Sequence, residues 1–428
     1  MNSIAKELNS ILEDTVVFDL LSDFGKRFYF PKGIVAQSAE AKQKAHKFNA
    51  TVGMATTGGV PMYLESVKRQ VPKLSPGEMF PYAPTSGVLE LRREWRSEMD
   101  KKNPSLKGKK TSLPLVTSDL THGVSTISDM FLNKGDSIVV PDMFWGNYSL
   151  IFEGRNEAEI KRFTFFNKEG RINIESLKST IESISGDKFA VILNFPNNPT
   201  GYSPSVNEAE DLIKLLEDFA DKGKKILVIT DDAYFGLFYE EETLKESLFG
   251  RFADLHKNIL SVKVDGATKE NFAWGFRLGF LTFASKGLGM EHLDALTTKT
   301  MGAIRASISN SNKMAQTLVL KSLPSNNYWK EKEEGFSILK KRYGKVREII
   351  SSFGNDSPLQ ALPFNSGYFM TFEYSGNSEK LRTHLLDEYG VGTISIQEKY
   401  LRIAYSSVEL DDIEELYTLI DKASREIL

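Results

Sequence analysis

Val264 to Phe283 read V-D-G-A-T-K-E-N-F-A-W-G-F-R-L-G-F-L-T-F. Lys269 follows Thr268, a short way after the apolar run Ile259-Leu260-Ser261-Val262, and Arg277 comes eight residues later between Gly275 and Gly279. A second apolar run then begins, so the segment predicts a strand end, a loop holding both cations, and another strand. A lysine amine attacks aldehydes to form a carbon–nitrogen double bond, and a guanidinium grips a phosphate through two hydrogen bonds. Flanking glycines let the backbone come close to a bulky ligand. The stretch is consistent with a site for a phosphorylated aldehyde; its alternative is a solvated surface loop.

The surrounding chain narrows the choice. With 428 residues, two domains are the expectation. Hydrophobic residues at 41% and charged residues at 26% suit a soluble globular protein, and a net charge of -3 gives no reason to expect nucleic acid. Cysteine is absent, which excludes disulfides, thiolate catalysis and thiolate-bound zinc. The five histidines are scattered without an i, i+4 pair, so no metal is expected. No signal peptide and no membrane-length apolar run are visible, which predicts a cytoplasmic protein with no membrane partner.

Residues 1 to about 45 alternate helical and loop-like patches, with a break at Phe28–Gly33. Phe48 to Leu64 is rich in glycine and threonine, which suits the lining of a site or a turn. Helical spacing marks Val88–Met99, a segment from about Gly123 to Leu132, and Glu208–Asp221. Short apolar runs at Ser137–Val140, Phe163–Phe166, Phe189–Leu193 and Ile226–Ile229 predict buried strands. Their alternation with helices predicts an α/β protein with a mostly parallel sheet covered on both faces. A long charged helix over Lys330–Phe353 leads to a small α+β unit, with further elements at Gly367–Phe372, Leu381–Glu388, Leu401–Tyr405 and Leu410–Ile427. The expected division is an N-terminal arm with part of a small domain (1–75), a large ligand-binding domain (76–328) and the C-terminal small domain (329–428).

Parallel sheets bind ligands beyond the carboxyl ends of their strands. Those ends here deliver N-F-P-N-N-P-T-G with Asn198, D-D-A-Y with Asp231, P-D-M-F-W-G-N-Y with Trp145, and T-S-D-L-T-H-G-V-S, read as opening a helix at Gly123. Together with Lys269 and Arg277 they match the needs of pyridoxal 5'-phosphate. A buried carboxylate, Asp231, would keep the ring nitrogen protonated, and Asn198 and Tyr234 would meet the phenolic oxygen. Trp145 would stack on one face of the ring, with the small Ala233 on the other. The helix start Gly123-Val124-Ser125 would take the phosphate.

The ordered set N-P-T-G at 198–201, D-x-A-Y at 231–234 and K-x5-G-x-R-x-G at 269–279 resembles the class I aminotransferases of the fold-type I pyridoxal-phosphate enzymes, over about Asn49 to Ser406. The resemblance implies a large domain with a mostly parallel seven-stranded sheet between helices, plus a smaller α+β domain. It further implies a homodimer that shares its active sites and moves an amino group between an L-amino acid and a 2-oxo acid in ping-pong fashion. Details are similar to the aspartate aminotransferases. Gly53 in V-G-M-A takes the place of a glycine near the substrate carboxylate, and Tyr82 that of a tyrosine reaching the partner's cofactor phosphate. Tyr148 in W-G-N-Y stands where a histidine is usual behind the aspartate. Arg402 in Y-L-R-I-A-Y falls on the arginine that binds the α-carboxylate, with Trp145 and Asn198 also at the substrate. Arg305 in A-I-R-A-S-I-S-N falls on the arginine that crosses the dimer interface to a side-chain carboxylate, which points to a dicarboxylate such as aspartate. The alternative role for Arg305 is an interface ion pair.

Four further positions depart from that pattern. Gly266 stands where a serine often helps hold the phosphate, with Thr268 or Ser125 as the compensating donor; Val124 replaces a smaller residue; and Ser311-Asn312 replaces prolines. The same scaffold also supports C–S lyases, aspartate β-decarboxylases and aminotransferases for aromatic or neutral amino acids. A ligand-sensing regulator would need a DNA-binding module, which neither end of the chain offers.

Overall fold

The computed structural model describes residues 1–30, 33–354 and 356–428. Seven strands form the main sheet in the order Leu115–Thr117, Gly279–Ala284, Ile259–Gly266, Lys225–Asp231, Lys188–Asn194, Ser137–Pro141 and Glu159–Phe163. All neighbours run parallel except Gly279–Ala284, which is antiparallel to both of its partners. The central strands are apolar at nearly every position because both of their faces are covered. Ala190 and Ile192 enter one core, while Phe189, Val191 and Leu193 enter the other. Leu227 and Ile229 divide from Ile226 and Val228 in the same way. Each such Val, Ile, Leu or Phe side chain contributes roughly 1.5–3 kcal/mol by leaving water.

The Val206–Asp221 helix begins at a capping box between Ser205 and Glu208 and lays Leu212, Ile213, Leu216 and Phe219 on the second core. The Asp119–Phe131 helix covers the first, through Leu120, Val124 and Ile127. A 26-residue helix, Asn326–Ser351, leads to an antiparallel sheet of Leu359–Ala361, Met370–Tyr374, Tyr400–Ile403 and Ile394–Ile396. The Ser378–Tyr389 and Ile413–Glu426 helices accompany that sheet, and Phe48–Asn49 pairs in parallel with Val391–Gly392. Among the described residues, no helix is long and apolar enough to cross a membrane.

Several element bounds differ from those read in the sequence. The strand expected at Phe163–Phe166 lies earlier, at Glu159–Phe163. It is an edge strand with charged, half-exposed side chains, and the phenylalanines after it fill the second core, so the apolar run does not mark the strand. The strand before Lys269 continues past Val262 to Gly266, and Lys269 sits on a single helical turn, Ala267–Glu270, rather than in a loop. The helix read from Gly123 starts at Asp119. Strands Leu359–Ala361 and Ile394–Ile396 are too short to show a periodicity. Of the break expected at Phe28–Gly33, Pro31 and Lys32 lie outside the described residues.

Candidate active site

At the carboxyl ends of the central strands lies a cavity of about 190 Å³, lined by Asp119, Leu120, Thr121, Trp145, Tyr148, Asn194, Asn198, Asp231, Ala233, Tyr234, Lys269 and Arg277. The chain reaches it from three adjacent strand ends in register, since Asn194 pairs with Asp231 and Asp231 with Val264.

Asp231 is the last residue of its strand and is 3% exposed. Its Oδ2 accepts from the Tyr148 hydroxyl at 2.5 Å, and its Oδ1 accepts from the Ala233 amide at 3.2 Å. The side-chain amide of Asn194 donates to its carbonyl at 2.9 Å. Burial pushes the Asp231 carboxyl above the usual carboxylate range, opposed by the Tyr148 hydrogen bond and by the charge of Lys269. Buried between Asp231 and the Phe152 ring, Tyr148 has its own hydroxyl pushed well up, first by desolvation and then by that carboxylate.

The Lys269 ammonium lies 5.2 Å from the centre of the Tyr234 ring. Burial lowers its pKa, against the pull of Asp119 and Asp231, which favours the neutral amine needed for attack on a carbonyl. Desolvation raises the Tyr234 hydroxyl.

Arg277 adopts a left-handed conformation (φ 52°) after the turn Trp274–Phe276. It forms an ion pair with Asp119, whose Oδ1 accepts from the Thr268 hydroxyl at 2.5 Å. Gly266 allows the two strands flanking this segment to close together. A Cβ there would stand 2.6 Å from the Leu278 carbonyl oxygen, so a serine does not fit this backbone.

Arg402 donates to Asn198 Oδ1 at 3.1 Å and to the Thr51 carbonyl at 2.8 Å, with its guanidinium 4.4 Å from the centre of the Phe369 ring. Its Nε has no partner, and burial lowers its pKa to about 10. Asn198 is placed by the N-P-T-G turn, where Gly201 is required: at φ 77°, a Cβ would meet the Phe369 carbonyl oxygen at 2.0 Å. Gly53 faces the same wall, where an added Cβ would lie 3.0 Å from Phe369 and 3.4 Å from the Tyr234 hydroxyl.

The structure thus brings Trp145, Asn198, Asp231, Ala233, Tyr234, Lys269 and Arg277 to one cavity. Thr268, Arg402 and Gly53 stand in contact with its walls. Gly123, Val124 and Ser125 are not at the helix start. Because the helix begins at Asp119, they lie on its second turn, with Gly123 pressed on Val264 and Val124 fully buried in the core. The free amides at the cavity are those of the first turn, around Asp119, Leu120 and Thr121. Neither Tyr82 nor Arg305 lines the cavity of its own chain. Tyr82 is 90% exposed, and Arg305, near the end of the Met290–Ser307 helix, donates to the Ser309 hydroxyl at 2.6 Å.

Sequence reasoning missed Asp119, Leu120, Thr121 and Asn194. Ser118-Asp119 just past a strand is itself a helix-start signal, and it was masked by the more conspicuous Gly123. Asn194 ends an apolar strand, so it carried no motif of its own.

A half-buried amine, a buried carboxylate, and a guanidinium beside a helix N-terminus form the donor set that suits pyridoxal 5'-phosphate, an aromatic aldehyde with a basic ring nitrogen and a phosphate. One feature runs against it: Asp119 places a second carboxylate on Arg277 and Thr268.

Comparison with known proteins agrees with this donor set. The family model "Aminotransferase class I and II" matches residues 46–420. The chain is 26% identical over 353 residues to an aspartate aminotransferase of Pyrococcus horikoshii, covering 80% of this chain and 82% of that protein. It is also 26% identical over 358 residues to a probable aspartate/prephenate aminotransferase of Aquifex aeolicus, covering 81% and 84%. Among solved structures, an aminotransferase from Anaerococcus prevotii superposes with a TM-score of 0.84 at 24% identity, over 94% of this chain and 98% of that one. With the family model spanning most of its length, the chain belongs to the class I and II aminotransferases, enzymes whose cofactor is pyridoxal 5'-phosphate.

Proposed function

We propose that this aminotransferase uses Lys269 as its covalent and proton-transferring residue, and that its amino donor is an L-amino acid with two carboxylates, such as aspartate. The observation that carries the reading is the half-buried Lys269 and the buried Asp231 in one cavity, next to a buried Arg402 with an unpartnered Nε. Pyridoxal phosphate, when bound, supplies an electron sink for negative charge developing at the substrate's Cα.

The chain's residues would do the rest. Arg402 would grip the α-carboxylate as a bidentate fork, with Asn198 and the Thr51 carbonyl fixing the guanidinium and Phe369 beneath it. That grip turns the Cα–H bond toward Lys269, whose amine, its pKa lowered by desolvation, takes the proton and passes it on within the site. Asp231 would hold the proton on the ring nitrogen, and Tyr148 would keep its carboxylate charged and oriented. Trp145 and Ala233 would bound the two faces of the ring, Tyr234 and Asn198 would meet its phenolic oxygen, and Arg277 with Thr268 would hold the phosphate.

Two features support the dicarboxylate reading. Similar proteins are named as aspartate aminotransferases, and among the described residues no carboxylate pairs with Arg305. For Arg305 and Tyr82 to reach a site, a second copy of the chain must supply them. A homodimer would also cover Phe80 and Tyr82, which are 80% and 90% exposed.

The test is a product assay with L-aspartate and 2-oxoglutarate on the wild type and on Lys269→Ala. Oxaloacetate and glutamate should form in equal amounts with the wild type and not with the variant. Release of ammonia, pyruvate or carbon dioxide as the main product would assign the chain to lyase or decarboxylase chemistry instead.

A further inference from the structure

Asp119 is the first residue of a 13-residue helix, and it is held in the left-handed region at φ 68°. Its side chain does not point to solvent. The residue is 2% exposed, its Oδ1 accepts from the Thr268 hydroxyl at 2.5 Å, and its Oδ2 pairs with the Arg277 guanidinium. Arg277, Thr268 and the amides of the helix's first turn are the three kinds of donor an anion would use at this rim of the cavity. Two of the three, Arg277 and Thr268, are therefore engaged by a carboxylate that belongs to the protein.

We infer that Asp119 is a built-in competitor for the anion site, setting how tightly the protein holds the phosphate of its cofactor. The inference rests on the proposed role of Arg277 and Thr268 as phosphate-binding groups. A phosphate monoester entering here meets a buried negative charge already paired with the half-exposed Arg277 guanidinium, and like charges repel. For the phosphate to bind, the carboxylate has to turn away from Arg277 and Thr268 or take up a proton. Either route costs free energy that a neutral side chain at this position would not. The backbone does not require an aspartate, because asparagine and glycine both adopt the left-handed conformation readily.

The test is an equilibrium titration of the full-length protein, stripped of cofactor, with pyridoxal phosphate and separately with pyridoxal, read by absorbance of the Lys269 adduct and by tryptophan fluorescence. Asp119→Asn keeps the shape and removes the charge; Asp119→Gly removes the side chain altogether. Both variants should tighten the binding of pyridoxal phosphate about tenfold or more beyond any change toward pyridoxal, which shares only the Lys269 adduct. An unchanged or weakened affinity for pyridoxal phosphate in both variants would overturn the inference, as would equal tightening toward both ligands. If wild type and variants alike take up neither ligand at Lys269, the assignment of the cavity itself fails, and the inference falls with it.

Discussion

The Tyr148 hydroxyl donates a 2.5 Å hydrogen bond to Asp231 Oδ2, and both residues are almost wholly buried. Burial alone would drive the Asp231 carboxyl toward its neutral form, and the tyrosine hydrogen bond opposes that. Tyr148→Phe should therefore leave the protein folded and lower kcat roughly 10- to 100-fold, the worth of one hydrogen bond to a buried charge. Steady-state kinetics beside a thermal melt checks this. A variant with wild-type kcat would separate Tyr148 from the chemistry.

Arg402 is buried, lies on the Phe369 ring and leaves its Nε without a partner. Arg402→Lys keeps a charge but loses the planar fork, so KM should rise about 100-fold or more for every amino-acid substrate alike. An effect confined to dicarboxylates would mean that Arg402 reads the side chain rather than the α-carboxylate.

Arg305 should behave differently. Arg305→Ala is expected to raise KM for aspartate and glutamate by about 10-fold or more, while neutral amino acids change little. Loss of activity toward both classes, with a shift to monomer in sedimentation, would instead assign Arg305 to an interface ion pair.

Glu270, next to Lys269 in sequence, sits between Lys102 and Lys332 and is 8% exposed in its side chain. These cations hold its carboxyl at about 2, below the usual 4.5, against the opposing effect of burial. A depressed carboxylate pKa stabilises the fold fully above pH 4.5, and the contribution disappears as the pH falls through 2. Glu270→Gln should thus cost on the order of 3 kcal/mol at pH 7, a gap that narrows between pH 4.5 and 2. Denaturant melts across that range would reveal it; a gap independent of pH would contradict the electrostatic cause.

The architecture was legible in the sequence wherever a pattern is set by burial. Strands such as Phe189–Leu193 are apolar on both faces, and the Val206–Asp221 helix carries its own cap and stripe. Edge and short elements were not legible. Glu159–Phe163 is half solvated, and Ile394–Ile396 has only three residues. At the site, residues with unusual chemistry at strand ends, such as Asp231, Asn198 and Lys269, were found from the chain alone. The helix start was misplaced by four residues because glycine suggested a turn at Gly123, whereas Asp119 itself takes the positive φ. Tyr82 and Arg305, named from the resemblance, stand outside the cavity of their own chain.

The most direct measurement of the central claim is the visible absorbance of the purified protein and of Lys269→Ala, before and after L-aspartate and then 2-oxoglutarate. The wild type should be yellow, bleach with aspartate and regain its colour with the oxo acid, while the variant should show no such cycle. A wild-type protein that stays colourless and takes up no added pyridoxal phosphate would contradict the account at its root.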